Sequence, residues 1–165
     1  MIERVVPEKI EKAKAEKDKG NELFQQGEHK QALASYHYAK LYVKGLVNLT
    51  DEEKSAIKAV ELSCNLNMAA VYIKFQWWQK AISASTSVLE SDPNNVKALF
   101  RRGKAYLELN NTERARADLL QAIKLSPNDK ALRDEYTRLQ EKETALAQQA
   151  KSVFKNIFES DLSED

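Results

Sequence analysis

The chain has 165 residues, 31% charged and 42% hydrophobic, with only four Gly and three Pro. Few breakers among many Ala, Leu, Lys, Glu and Gln point to one all-helical domain with its own core and argue against a sheet protein. A formal net charge of +1 argues against a globally basic nucleic-acid binder. Cys64 is alone, which excludes an internal disulfide and fits a reducing compartment.

Taken in order, Pro7-Glu8-Lys9-Ile10 opens a charged helix that continues into Gly20-Asn21. Lys9, Lys12, Lys14, Lys17 and Lys19 alternate with Glu, the pattern of a solvated helix face. No aromatic side chains are interleaved to stack on bases, so nucleic acid is not expected as a partner. No apolar run reaches the length of a membrane span, and the N-terminus lacks a signal-peptide core. Residues 96–129 overlay residues 62–95 without a gap, a period of 34 in the tetratricopeptide-repeat (TPR) range. Leu99 falls on Asn65, Gly103 on Ala69, Tyr106 on Tyr72, Ala115 on Ala81, Ala122 on Val88 and Pro127 on Pro93. That small–aromatic–small–Pro series is what two close-packed antiparallel helices per repeat require. A further copy at residues 13–46 places Gly20, Leu23, Ala32, Tyr36 and Ala39 correspondingly, without the closing Pro.

An insertion, residues 47–61, follows the first repeat. Within it Thr50 and Glu53 have capping-box spacing, predicting that the first helix of repeat two is lengthened to run from about Asp51 to Phe75. Asn128-Asp129 caps a final helix expected from about Lys130 to Phe158, with Leu132, Tyr136, Leu139, Leu146, Ala150, Val153 and Ile157 in one apolar stripe. Its first half should cover repeat three, because terminal repeats need a cap. Its second half should project, ahead of an acidic disordered tail at residues 159–165. The expected architecture is all-α: three TPR hairpins in a right-handed superhelical stack plus a long C-terminal capping helix, over residues 1–158 as a single domain.

Lys17, Asn21, Asn67, Lys97 and Arg101 fall within a sector of about 100° on the first helices of the three repeats. The packing positions lie on the opposite side. In stacked helix pairs the first helices line the concave surface, so a groove with two Lys, one Arg and two Asn is expected. Lysine supplies point charge, Arg a planar fork and Asn uncharged donors, a set suited to carboxylates. Lys97→Ala or Arg101→Ala is therefore expected to remove binding of a carboxylate-ended peptide with the fold intact.

Residues 13–158 resemble the C-terminal TPR domain of the large FK-binding immunophilins. The resemblance rests on Lys17-Asp18-Lys19-Gly20-Asn21, Leu66-Asn67-Met68-Ala69-Ala70, Lys97-Ala98-Leu99-Phe100-Arg101-Arg102-Gly103, the long insertion and the segment Lys151 to Phe158. It implies a dicarboxylate clamp for the C-terminal Glu-Glu-Val-Asp of a cytosolic heat-shock chaperone, the ninety-kilodalton class ahead of the seventy-kilodalton one. By position, Lys17, Asn21 and Asn67 would hold the terminal carboxylate, Lys97 the Asp side chain, and Arg101 the peptide further up. It also implies a prolyl-isomerase domain ahead of residue 1, a cytoplasmic or nuclear location, and calmodulin contact through Lys151, Val153, Phe154, Lys155, Ile157 and Phe158.

Other residues attract plainer readings. His29 and His37 lie on different helices without Cys or carboxylate clusters, so neither a metal nor another cofactor is expected. Trp78 occupies a position where repeats bury an aromatic, whereas Trp77 is expected to be partly exposed. Arg102 reads as a surface or inter-helix residue, and Cys64 as an inert, partly buried one. No Gly-rich phosphate loop or nucleophile–base pairing appears, so this segment reads as a monomeric binding module and not an enzyme. A TPR scaffold for some other acidic C-terminal peptide is the competing expectation.

Overall fold

The hairpin turns show how closely the three repeats follow one plan. The computed structural model describes residues 5–161, with side chains for 5–158. Seven helices account for nearly all of it: α1 (Val5–Gln25), α2 (His29–Val43), α3 (Asp51–Lys74), α4 (Trp78–Ser91), α5 (Val96–Glu108), α6 (Thr112–Leu125) and α7 (Lys130–Asp161). No strand occurs among the described residues. Helices α1, α3 and α5 each end on one residue in the left-handed region: Gly27 (φ 83°), Gln76 (φ 58°) and Asn110 (φ 60°). The next amide bonds back five residues each time, Glu28 to Leu23, Trp77 to Tyr72 and Asn111 to Tyr106, at 2.8–2.9 Å. These are Schellman closures, which satisfy orphan carbonyls and fix the reversal into the second helix.

Helix starts are set by side-chain acceptors. Thr50 and Glu53 form both bonds of a capping box, at 3.2 and 2.8 Å, so α3 begins inside the insertion and reaches 24 residues. Asn95 and Asn111 cap α5 and α6 by accepting from the amides of Ala98 and Arg114. Asp129 accepts from Ala131 and Leu132 and starts α7.

Small residues let the paired helices approach. A Cβ on Gly20 would lie 2.6 Å from the Tyr36 ring, and one on Gly103 would lie 3.0 Å from Leu119. Ala13, Ala32, Ala39, Ala69, Ala81, Ala105, Ala115 and Ala122 are fully buried. One core gathers around Tyr36, Cys64 and Val71, and the other around Leu99, Leu107, Leu119, Leu132 and Leu139. Cys64 is wholly buried, where a partly buried residue was expected. Burial pushes its thiol up to about 11, so it is protonated and unreactive at neutral pH.

Helix α7 divides in two. Leu132 and Leu139 are buried against α5 and α6, Arg116 reaches Tyr136 and Glu143, Arg138 reaches Glu108, and Lys142 donates to the Leu107 carbonyl at 2.9 Å. Beyond that point Leu146, Val153, Phe154, Ile157 and Phe158 are exposed. The helix runs to Asp161, past the expected end near Phe158. The first residues of the expected acidic tail are therefore helical, and residues 162–165 lie outside those described.

Candidate peptide-binding groove

Helix α3 packs against both α1 and α5, so the first helices of the three hairpins are neighbours. Lys17 and Asn21 lie one turn apart on α1, Asn67 lies on α3, and Lys97 and Arg101 lie one turn apart on α5. Asn21 and Asn67, 46 residues apart, are in direct contact: Asn67 Nδ2 donates to Asn21 Oδ1 at 2.8 Å. Tyr36 Oη donates to the same oxygen at 3.0 Å. Burial pushes the Tyr36 phenol up, which keeps it an O–H donor. With both lone pairs of its oxygen used, Asn21 is oriented so that its Nδ2 is the end left to donate.

Arg101 is largely buried and donates from Nη1 to the Leu66 carbonyl at 2.6 Å, joining α5 to α3 beside Asn67. Burial lowers its pKa, yet a guanidinium remains charged at neutral pH. No carboxylate pairs with it among the described residues, so its charge is available to a ligand. Lys97 is exposed in the first turn of α5 and has no bonded partner among the described residues. Lys17 is half-buried and pairs with the exposed Asp18 at 3.0 Å, a contact that an incoming carboxylate can replace. Direct bonding thus joins Asn21 to Asn67 and Arg101 to the same helix, whereas Lys17 and Lys97 form no hydrogen bond with them among the described residues.

Arg102 faces the other way. It forms a two-bond contact with Asp118 at 2.7 and 2.8 Å and reaches Thr86 at 3.3 Å, tying α5 to α6 and α4. The Asp118 bond raises the Arg102 pKa against the opposing effect of burial. Asp118 lies between Ala115, Leu119 and Ala122 on the inward stripe of α6. An inward carboxylate demands a partner, and that was the sequence signal for this pair. The Tyr36–Asn21 bond and the Arg101 tie to the Leu66 backbone had no comparable signal, because the first depends on how α1 packs on α2 and the second on how adjacent hairpins stack.

Trp77 is 45% exposed under Lys80 Nζ, 4.5 Å from the ring centroid, and Trp78 is half-buried against the first core. Among the described residues no group of three or more His, Cys, Asp or Glu is placed to hold a metal ion. No helix of the described residues is long and apolar enough to cross a membrane.

The stack and its groove define a helical-repeat binding module, and residues 96–129 match the tetratricopeptide repeat family. The chain is 34% identical over 152 residues to the human peptidyl-prolyl cis-trans isomerase FKBP4, covering 92% of this chain and 33% of the relative. It spans about a third of the length of that relative. It superposes on the C-terminal TPR-containing domain of a Plasmodium falciparum putative FK506-binding protein with a TM-score of 0.84 and 32% identity, covering 88% of this chain and 97% of that one. The chain belongs to the family of C-terminal TPR domains of FK506-binding proteins. The matched region is a TPR domain and not the isomerase domain. The myosin chaperone UNC-45 from C. elegans, in complex with an Hsp90 peptide, is similar at TM-score 0.70 and 30% identity, covering 85% of this chain and 14% of that one.

Proposed function

We propose that the groove between α1, α3 and α5 binds the C-terminal Glu-Glu-Val-Asp tail of a ninety-kilodalton heat-shock chaperone. The chain then serves as the co-chaperone adaptor of a cytosolic FK-binding prolyl isomerase. The observation that carries this reading is the donor set of Asn21 and Asn67, locked by the Tyr36 bond, beside the Arg101 guanidinium, which has no carboxylate partner among the described residues. Lys17 and the Asn pair hold the terminal carboxylate, Lys97 the Asp side chain, and Arg101 the preceding residues. The likeness to UNC-45 supports the choice of ligand, since that structure contains an Hsp90 peptide. Hydrogen bonds to ionised groups contribute roughly 1.5–3 kcal/mol each. After the cost of ordering the peptide, an affinity near 1 μM, about −8 kcal/mol, is expected.

The test is calorimetric titration with free-acid and C-terminally amidated Glu-Glu-Val-Asp peptides. Affinity should fall at least tenfold on amidation. Equal affinity would exclude the clamp, and equal binding of the seventy-kilodalton tail would remove the preference between chaperones. A TPR scaffold for another acidic peptide would give weak binding to both tails with a retained need for a free carboxylate.

A second reading concerns the end of α7, where Val153, Phe154 and Phe158 are exposed on an amphipathic helix carrying Lys151 and Lys155. Calmodulin grips such helices by their apolar face. Calcium-dependent retention of the chain, lost on Phe154→Ala/Phe158→Ala, is the result this reading requires.

A further inference from the structure

On the side of α3 away from the groove, α2, α3 and α4 enclose a depression of about 370 Å³. Asn65 and Asn67 are about 200° apart around α3, so the depression and the groove open on opposite faces. Buried Met68 and Ala84 form its floor. Its walls are polar: His37 and Lys40 from α2, Asn65 and Tyr72 from α3, and Lys80 and Ser83 from α4.

Three basic side chains meet here, and no carboxylate among the described residues lines the depression. Lys40 Nζ donates to the neutral Asn65 Oδ1 at 2.6 Å. Lys80 Nζ lies over the Trp77 and Tyr72 rings, 4.5 and 5.9 Å from their centroids. His37 Nε2 is 3.4 Å from the Tyr72 hydroxyl, so Tyr72 links the α2 and α4 sides of the site. Neither lysine is ion-paired among the described residues. By contrast, Lys12 is offset by Glu8 at 2.6 Å and Lys54 by Asp51 at 3.1 Å. Burial, then Lys40 and Lys80, hold the His37 imidazole below its ordinary value, so the three groups share one field.

We propose that this depression is a second anion site that takes a phosphate group. Two ammonium groups, an imidazole and the hydroxyls of Tyr72, Ser83 and Ser87 surround one concavity, and a tetrahedral dianion with three terminal oxygens satisfies more of them than a carboxylate does. The ligand is a phosphate monoester or free phosphate, the chemistry common to both. Its charge offsets the lysine field at His37, so binding is accompanied by proton uptake on that imidazole. The titratable groups around the depression are His37, Lys40, Tyr72 and Lys80. The site is independent of the peptide groove and shares no residue with it.

The experiment is NMR titration of the isotope-labelled chain, at fixed ionic strength, with inorganic phosphate and with a phosphoserine peptide. Saturable shifts at Asn65, Tyr72 and Ser83 and an upward move of the His37 titration are expected. Both should vanish in Lys40→Gln/Lys80→Gln and return in Lys40→Arg/Lys80→Arg, with circular dichroism unchanged throughout. A tighter response to the peptide identifies a protein-borne phosphate, and an equal or tighter response to inorganic phosphate identifies a small anion; both support the site. No saturation by about 10 mM phosphate, where even a millimolar Kd is evident, would overturn it. So would shifts that persist in the Gln double variant, or an equal response to the same peptide carrying Glu in place of phosphoserine.

Discussion

Asn67 donates to Asn21 at 2.8 Å across 46 residues of sequence, and that bond couples the candidate site to the stacking of repeats one and two. Asn21→Ala removes the acceptor of both Tyr36 and Asn67. It should destabilise the fold by about 1–2 kcal/mol as well as weaken peptide binding. Thermal melting read beside calorimetry checks this, and an unchanged melt would show that the bond carries no stability.

Lys97 and Arg101 should separate in the same assays. Lys97→Ala should lower peptide affinity about tenfold with melting unchanged, because the side chain is exposed and makes no hydrogen bond or ion pair among the described residues. Arg101→Ala should lose binding and also about 1–2 kcal/mol of stability, since the Leu66 carbonyl loses its donor. The sequence alone treated the two alike; the Leu66 contact is what distinguishes them. Affinity should also fall as salt is raised from 0.05 to about 0.3 M, as screening of ionic contacts requires.

Gly20→Ala places a methyl 2.6 Å from the buried Tyr36 ring, whose hydroxyl is tethered to Asn21. A cost of about 1–3 kcal/mol is expected, a fall in Tm of roughly 2–4 °C per kcal/mol for a chain of this size. Gly103→Ala meets the Leu119 side chain at 3.0 Å and Asp118 Cβ at 3.4 Å, looser than the approach at Gly20, and should cost less.

Gln76 holds the left-handed position that Gly27 fills in the first repeat. Gln76→Gly should relieve a side-chain penalty of roughly 1–2 kcal/mol, offset in part by the greater freedom of unfolded glycine. A net gain of about 0.5–1 kcal/mol in chemical denaturation is the expected result. A loss of stability would mean that the Gln76 side chain contributes more than its backbone strain costs.

His37 gives stability a pH dependence of known sign. Its folded pKa is lowered, so the unfolded chain binds the proton more readily. The contribution of neutral His37 is fully present above its unfolded value, near 6.5, and is lost as pH falls through the folded one. Denaturation midpoints should drop between about pH 7 and 5 in the parent chain, and His37→Gln should flatten that part of the curve.

The sequence by itself determined the number of helices, their pairing and most of their ends, and from it comes the proposal of which residues share the groove sector. Those follow from local rules: a 34-residue period, a capping box at Thr50 and helical spacing of small and apolar side chains. It did not separate Arg101, bonded to a backbone carbonyl on another helix, from Lys97, which is exposed. Nor did it reveal that Tyr36 fixes the Asn21 amide, or that His37, Lys40 and Lys80 share one depression behind α3. Tertiary structure decided these because each depends on how closely particular helices approach, within a hairpin for Tyr36 and Asn21 and between hairpins for Arg101 and Leu66. That approach is set by packing such as Gly20 against Tyr36 and Gly103 against Leu119, and repeat spacing names such positions without stating which polar atoms the packing brings within bonding distance.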